Sequence, residues 1–227
     1  MYVSLADFNT YITKISLRGF SDELSGLVQR TANFADEVLV SPRRDGRKAV
    51  GHSLAVGQES MTFGLSPLAE CVAIGHDFIE DGKLRMPDGE LIPIGKDYLE
   101  EYFGPEYGPR IAFGIDAETV YPWEEEDRSI YYARFLRAVA QWWELLPIRL
   151  LDRKINHMDP YNGNPVKELA KCEETLGTFR KAMEEGSEFL PDEVQVRFAY
   201  HLHQTVYMAE RRVPELIETI RLTNPSH

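Results

Sequence analysis

Apolar residues recur at helical spacing along most of this chain. They do so near that spacing from Ser4 to Ser16, and again from Asp22 to Val40 with Leu24, Leu27, Val28, Ala32, Phe34, Ala35 and Val38. Recurrence at i, i+3, i+4 and i+7 predicts amphipathic helices. Ser21 stands where a hydroxyl would cap the second one. Ser41-Pro-Arg-Arg-Asp-Gly-Arg-Lys reads as a polar, basic loop turning at Asp45-Gly46. His52 to Gln58 is a short helical candidate, and Ser66-Pro67 places a proline where a helix begins. The run Leu68 to Asp81 then predicts a buried helix that stops at Gly82. Pro87-Asp-Gly-Glu-Leu-Ile-Pro93, within Arg85 to Ile94, predicts a small hairpin or extended loop.

Helix resumes from Lys96 to Phe103 and breaks at Gly104-Pro105; Ile111 to Glu118 is ambiguous. Ser129 to Leu146 predicts a helix, after which Pro147 kinks the path or starts a new helix at Ile148 to His157. Two long amphipathic stretches, Pro165 to Glu185 and Pro191 to Leu222, are divided at Gly186 and Pro191. Strand-like alternation is rare, so the pattern predicts an all-α helical bundle with room for one small β-hairpin insertion. The expected organisation is a single domain over residues 1–227, with a core at about 22–160 and C-terminal helices at about 165–222.

Composition narrows the function. Hydrophobic residues at 43% allow a sizeable core. A net charge of -12 argues against binding along a nucleic-acid backbone, which calls for basic surfaces, but leaves room for a small phosphorylated substrate held in a locally positive pocket. Cys71 and Cys172 form no disulfide framework or C-x-x-C pair, and Cys71 reads as a buried small hydrophobe. The N-terminus has no apolar signal-type core, and no stretch approaches the length of a membrane span. A cytoplasmic protein is expected.

Candidate chemistry lies in three places: His52 with its following apolar residues, His76-Asp77-Phe78-Ile79-Glu80-Asp81, and Arg149 to Asn156. His76 and Asp77 stand at the polar end of an apolar helix, with Glu80 and Asp81 one turn further on. Burying such a cluster without a counter-charge is costly. A divalent cation solves the problem, and imidazole with carboxylate suits Mn²⁺, Fe²⁺ or Zn²⁺. Asp152 follows Leu150-Leu151, with Asn156 one turn later and Arg149 and Arg153 nearby to hold phosphate. Each residue alone has a plain structural role open to it: a satisfied histidine, a solvated helix end, an ion pair of Asp152 with Arg153. The ordered set, each member in an apolar helix, carries the metal reading. Trp142-Trp143 reads as core, and His201 and His203, two apart on a helix, make a poor chelate.

These segments resemble the hydrolase domain of Rel/Spo homologues, within the HD superfamily of metal-dependent phosphohydrolases. The family pattern runs R-K-D-G, H-P-x-x-V-A, L-L-H-D-x-x-E-D-T, F-G and K-L-A-D-R-x-x-N. This chain has Arg43-Arg44-Asp45-Gly46, His52-Ser53-Leu54-Ala55-Val56, Ile74-Gly75-His76-Asp77-Phe78-Ile79-Glu80-Asp81, Phe103-Gly104 and Arg149-Leu150-Leu151-Asp152-Arg153-Lys154-Ile155-Asn156. Order and approximate spacing hold from about residue 28 to 158.

The resemblance implies an HD-type helical bundle whose catalytic core removes pyrophosphate from the 3′ position of (p)ppGpp with Mn²⁺. It implies His52, His76, Asp77 and Asp152 as metal ligands, and Glu80 and Asp81 as the pair that positions and activates the attacking water. Arg43, Arg44, Arg149 and Asn156 are implied as substrate contacts. The chain departs from the pattern at Glu37-Val-Leu-Val-Ser-Pro, where the family has H-x-G-Q, at Gly82, where it has threonine, and beside His52, where its tyrosine and proline are absent. Residues 85–94 read as an insertion, and the chain from Pro165 onward has no counterpart. These changes touch the nucleotide pocket more than the metal site. The alternatives are therefore another nucleotide phosphohydrolase (a nucleotidase, an NADPH phosphatase or a phosphodiesterase) and a non-catalytic nucleotide-binding protein on the same scaffold.

Overall fold

The computed structural model describes residues 21–40, 49–158 and 164–223. The expected helix at Ser4 to Ser16, the basic loop from Ser41 and the substrate contacts Arg43 and Arg44 lie outside them. The fold is all-α with a small β-hairpin. The chain divides between Glu126 and Asp127 into two compact units. That boundary falls inside the stretch expected from sequence to be one catalytic core.

The first unit contains α1 (Asp22–Val38), α2 (Val50–Phe63), α3 (Pro67–Gly75), the short α4 (Phe78–Asp81), strands β1 (Lys83–Arg85) and β2 (Leu91–Pro93), and α5 (Lys96–Glu118). Ser21 caps α1 through its side chain, which accepts from the Leu24 N–H, and Ser66 caps α3 in the same way at Ala69. Helix α3 is buried on every side, as its nearly uniform apolar sequence requires, and packs against α1, α2 and α5. The core around it holds Leu27, Phe34, Val56, Ile74, Phe78, Leu99 and Ile111.

The run Leu68 to Asp81 is not one helix. Helix α3 stops at Gly75, His76 and Asp77 form a turn, and α4 starts afresh at Phe78. The cause is packing. A Cβ on Gly75 would lie 2.8 Å from Ile115 Cδ1 and 2.9 Å from the Phe78 ring, so glycine there lets Phe78 turn inward beneath the helix end. Phe78 is fully buried and meets Phe34 edge-to-face at 5.2 Å.

The hairpin appears where the sequence suggested it, with Leu84 paired to Ile92 and Gly89 at φ 90 in its turn. In α5 the helix is interrupted at Gly104, whose φ of 80 only glycine adopts readily, and the ambiguous stretch Ile111 to Glu118 is helical.

The second unit contains α6 (Arg128–Val139), α7 (Leu145–Met158), α8 (Pro165–Glu174), a π-helical turn (Thr175–Phe179), α9 (Arg180–Gly186) and α10 (Asp192–Thr223). The helix expected from Ser129 to Leu146 ends at Val139. There the Trp142 N–H reaches back to the carbonyls of Ala138 and Val139, and the buried Trp142 ring donates its indole N–H to Glu144 at 2.8 Å. Pro147 sits in the first turn of α7, where its missing N–H costs nothing. Among the described residues no helix is long and apolar enough to cross a membrane.

Candidate metal centre and its supports

Helix α2 and the turn after α3 bring two imidazoles together. His52 and His76 are both buried, with ring centroids 5.2 Å apart and planes at 66°. His76 Nδ1 lies 2.8 Å from the Ala73 carbonyl oxygen. A carbonyl only accepts, so Nδ1 carries a proton, and in the neutral ring Nε2 carries the lone pair. Nε2 in turn lies 3.2 Å from Asp77 Oδ1. Two acceptors at that separation attract each other only through a proton or a cation between them. An imidazolium would meet that need, and so would a metal ion. A second imidazole alongside adds a nitrogen donor of the kind that divalent transition metals take. The backbone carbonyl behind His76 is the support that commonly fixes the tautomer of a ligating histidine.

Asp77, at φ -91 and ψ 0, occupies the bridge region between α3 and α4, and its carbonyl accepts the Asp81 N–H at 2.8 Å. Glu80 and Asp81 are both exposed. Glu80 reaches across to the chain beyond α5, where its Oε1 accepts the Val120 N–H at 2.5 Å. Sequence reading did not anticipate this brace.

In the second unit, α7 presents Asp152, buried at 7% exposure. Its Oδ1 accepts from Asn156 Nδ2 at 2.7 Å, and its Oδ2 lies 3.5 Å from Arg149 Nη1. The Arg149 guanidinium stacks over the Tyr131 ring at 4.8 Å. Arg149 and Asn156, expected as substrate contacts, are thus both engaged with the carboxylate expected as a ligand.

Arg153, also buried, pairs with Glu174 at 3.0 Å through Nη2 and 3.2 Å through Nη1. The Tyr132 hydroxyl donates to the same carboxylate at 2.8 Å. Burial works to raise the Glu174 carboxyl, but Arg153 and Tyr132 hold it below the ordinary range. Burial pushes the Tyr132 hydroxyl up to about 12. The Thr175 hydroxyl donates to the Lys171 carbonyl at 2.8 Å and accepts from His157 Nε2 at 2.9 Å. Burial first, and then the Arg153 and Arg212 charges, pull His157 down to about 3. These partners lie on α6, α8 and the π-helical turn, where the sequence had offered Asp152 or phosphate for Arg153 instead.

Trp142 is core. His201 accepts from Lys154 Nζ at 3.2 Å and His203 is exposed, so the two do not act together. Cys71 and Cys172 are buried thiols, and burial raises the Cys71 thiol to about 12, which leaves it inert. No family model matches the chain. No curated protein matches it either.

Proposed function

We propose that this chain is a metal-dependent phosphohydrolase of the HD type, acting on a phosphate ester or pyrophosphate of a small nucleotide. The observation that carries the reading is the His76 arrangement: Nδ1 committed to the Ala73 carbonyl, Nε2 turned to Asp77, and a second buried imidazole beside it. His52, His76 and Asp77 would hold one divalent cation, foremost Mn²⁺. Asp152 is the fourth ligand in this reading, on the order H…HD…D in the sequence.

The donor set fits: two neutral imidazoles and two carboxylates suit a borderline transition-metal ion. Bound there, the ion would supply Lewis acidity and acidify a water. The chain supplies the rest. The Ala73 carbonyl sets the His76 tautomer, and Asn156 and Arg149 orient the Asp152 carboxylate. Glu80 and Asp81 take the proton of the attacking water, with Glu80 held in place by Val120. Arg43 and Arg44 would meet phosphate.

The resemblance to Rel/Spo hydrolase domains favours (p)ppGpp, cleaved at its 3′ pyrophosphate by an enzyme of the cytoplasm. The departures at Glu37 to Pro42 and at Gly82 favour a second reading, another nucleotide phosphohydrolase with the same metal chemistry.

The test is phosphate and pyrophosphate release by the purified protein with Mn²⁺ from ppGpp, NADPH, nucleoside monophosphates and cyclic nucleotides. Pyrophosphate from ppGpp alone supports the first reading, and turnover of another member alone supports the second. Tight nucleotide binding with no turnover of any member would overturn both in favour of a non-catalytic binding protein.

A further inference from the structure

Helix α10 carries three exposed apolar or aromatic residues on its outer side, with the exposed His203 between two of them. Val196 is 80% exposed, Tyr200 59% and Tyr207 50%. Spacings of four and seven residues place the three on one face of a helix. Single exposed apolar residues are ordinary, but a row of them on one face marks a contact surface. The row is bracketed by charge. Glu193 stands at its start and Arg211 at its end, both exposed. They are 211 − 193 = 18 positions apart, about five helical turns, and so project in the same direction as the row. Arg211 leans back along it, donating to the Tyr207 hydroxyl at 3.2 Å. A groove of about 550 Å³ has Phe198, Leu202, His203, Val206 and Tyr207 among its lining residues, with Arg180 and Glu184 of α9 also lining it.

We propose that this face is a self-association surface, on which α10 of a second copy of the chain packs antiparallel about a two-fold axis that crosses the face between Tyr200 and Tyr207. The charge pattern selects that partner and that direction. Antiparallel pairing centred midway between Glu193 and Arg211 sets Glu193 of each copy opposite Arg211 of the other, twice per dimer. Parallel pairing in register would instead set Glu193 against Glu193 and Arg211 against Arg211. The tyrosines supply broad, rigid contact area, and the groove beside them receives side chains of the facing helix. The proposal rests on α10 and its groove and is independent of the proposed activity.

The test is sedimentation velocity on the full chain at tens of micromolar, with charge-exchanged variants. The wild type is expected at twice the 26.0 kDa of one chain. Glu193→Arg and Arg211→Glu are each expected to give monomers with unchanged helical circular dichroism, since both positions are exposed. The double variant, Glu193→Arg with Arg211→Glu, restores the opposed charges and is expected to recover the dimer. A monomeric wild type would overturn the proposal. So would single variants that stay fully dimeric, or a double variant that remains monomeric.

Discussion

Asn156 Nδ2 donates to Asp152 Oδ1 at 2.7 Å, one turn along the same helix. The bond orients a buried carboxylate whose other oxygen faces Arg149. Residues that orient a ligand are commonly worth about 10- to 100-fold in metal affinity. Asn156→Ala is therefore expected to weaken Mn²⁺ binding by roughly that factor while the protein stays folded. Calorimetric titration of the metal checks it, and an unchanged affinity would detach Asn156 from the metal centre.

Glu80 has two expected duties, bracing Val120 and handling a proton, and two substitutions separate them. Glu80→Gln keeps an oxygen that can accept the Val120 N–H but removes the titratable carboxylate. It is expected to leave stability and metal content nearly unchanged while turnover falls by roughly 10²- to 10⁴-fold. Glu80→Ala also loses the brace, at a cost of about 1 kcal/mol, read as a lower urea midpoint. Equal turnover in Glu80→Gln and the wild type would remove Glu80 from the chemistry.

The Arg153–Glu174 pair is buried, with side chains 7% and 17% exposed. Removing one member strands the other charge, so Arg153→Met and Glu174→Leu are each expected to cost about 3–5 kcal/mol. The double substitution leaves no stranded charge and is expected to cost less than the sum of the two. Urea unfolding of all four proteins checks this double-mutant cycle, and strict additivity would contradict it.

His157 gives the second unit a defined acid sensitivity. Its folded-state pKa, near 3, lies below its ordinary value of 6.5, because burial and then Arg153, Arg212 and Lys171 oppose the charged form, with Asp152 acting the other way. The unfolded chain therefore binds the proton first as pH falls. The stability contributed by the neutral ring is fully present above about pH 6.5 and is lost progressively towards about pH 3. His157→Gln, whose amide can still donate to Thr175, is expected to flatten that part of the profile. Urea unfolding followed from pH 7 downward decides, and identical slopes for both proteins would contradict it.

The helices were legible because each needs one apolar face, and that face repeats in the sequence. Asp22–Val38 and the hairpin stand close to where the pattern put them. The break at His76-Asp77 was not legible. Leu68 to Asp81 reads as one apolar run, and it breaks after Gly75, where a Cβ would crowd Ile115 and Phe78. The end of α6 at Val139 was hidden for a similar reason, since Trp142 and Leu145 continue the apolar pattern while the chain turns. At the site, His76 and Asp77 are neighbours in sequence, so their association could be read directly. The Glu80–Val120 and Arg153–Glu174 contacts join residues 40 and 21 positions apart on different elements, and no local pattern announces them.

The buried imidazoles and their carboxylates are proposed to hold one divalent cation. The most direct test is calorimetric titration of Mn²⁺ into chelator-stripped wild type and His76→Ala, with circular dichroism to confirm that the variant is folded. One site per chain is expected in the wild type and none in the variant. Equal binding by the two proteins, or none by the wild type, would contradict it.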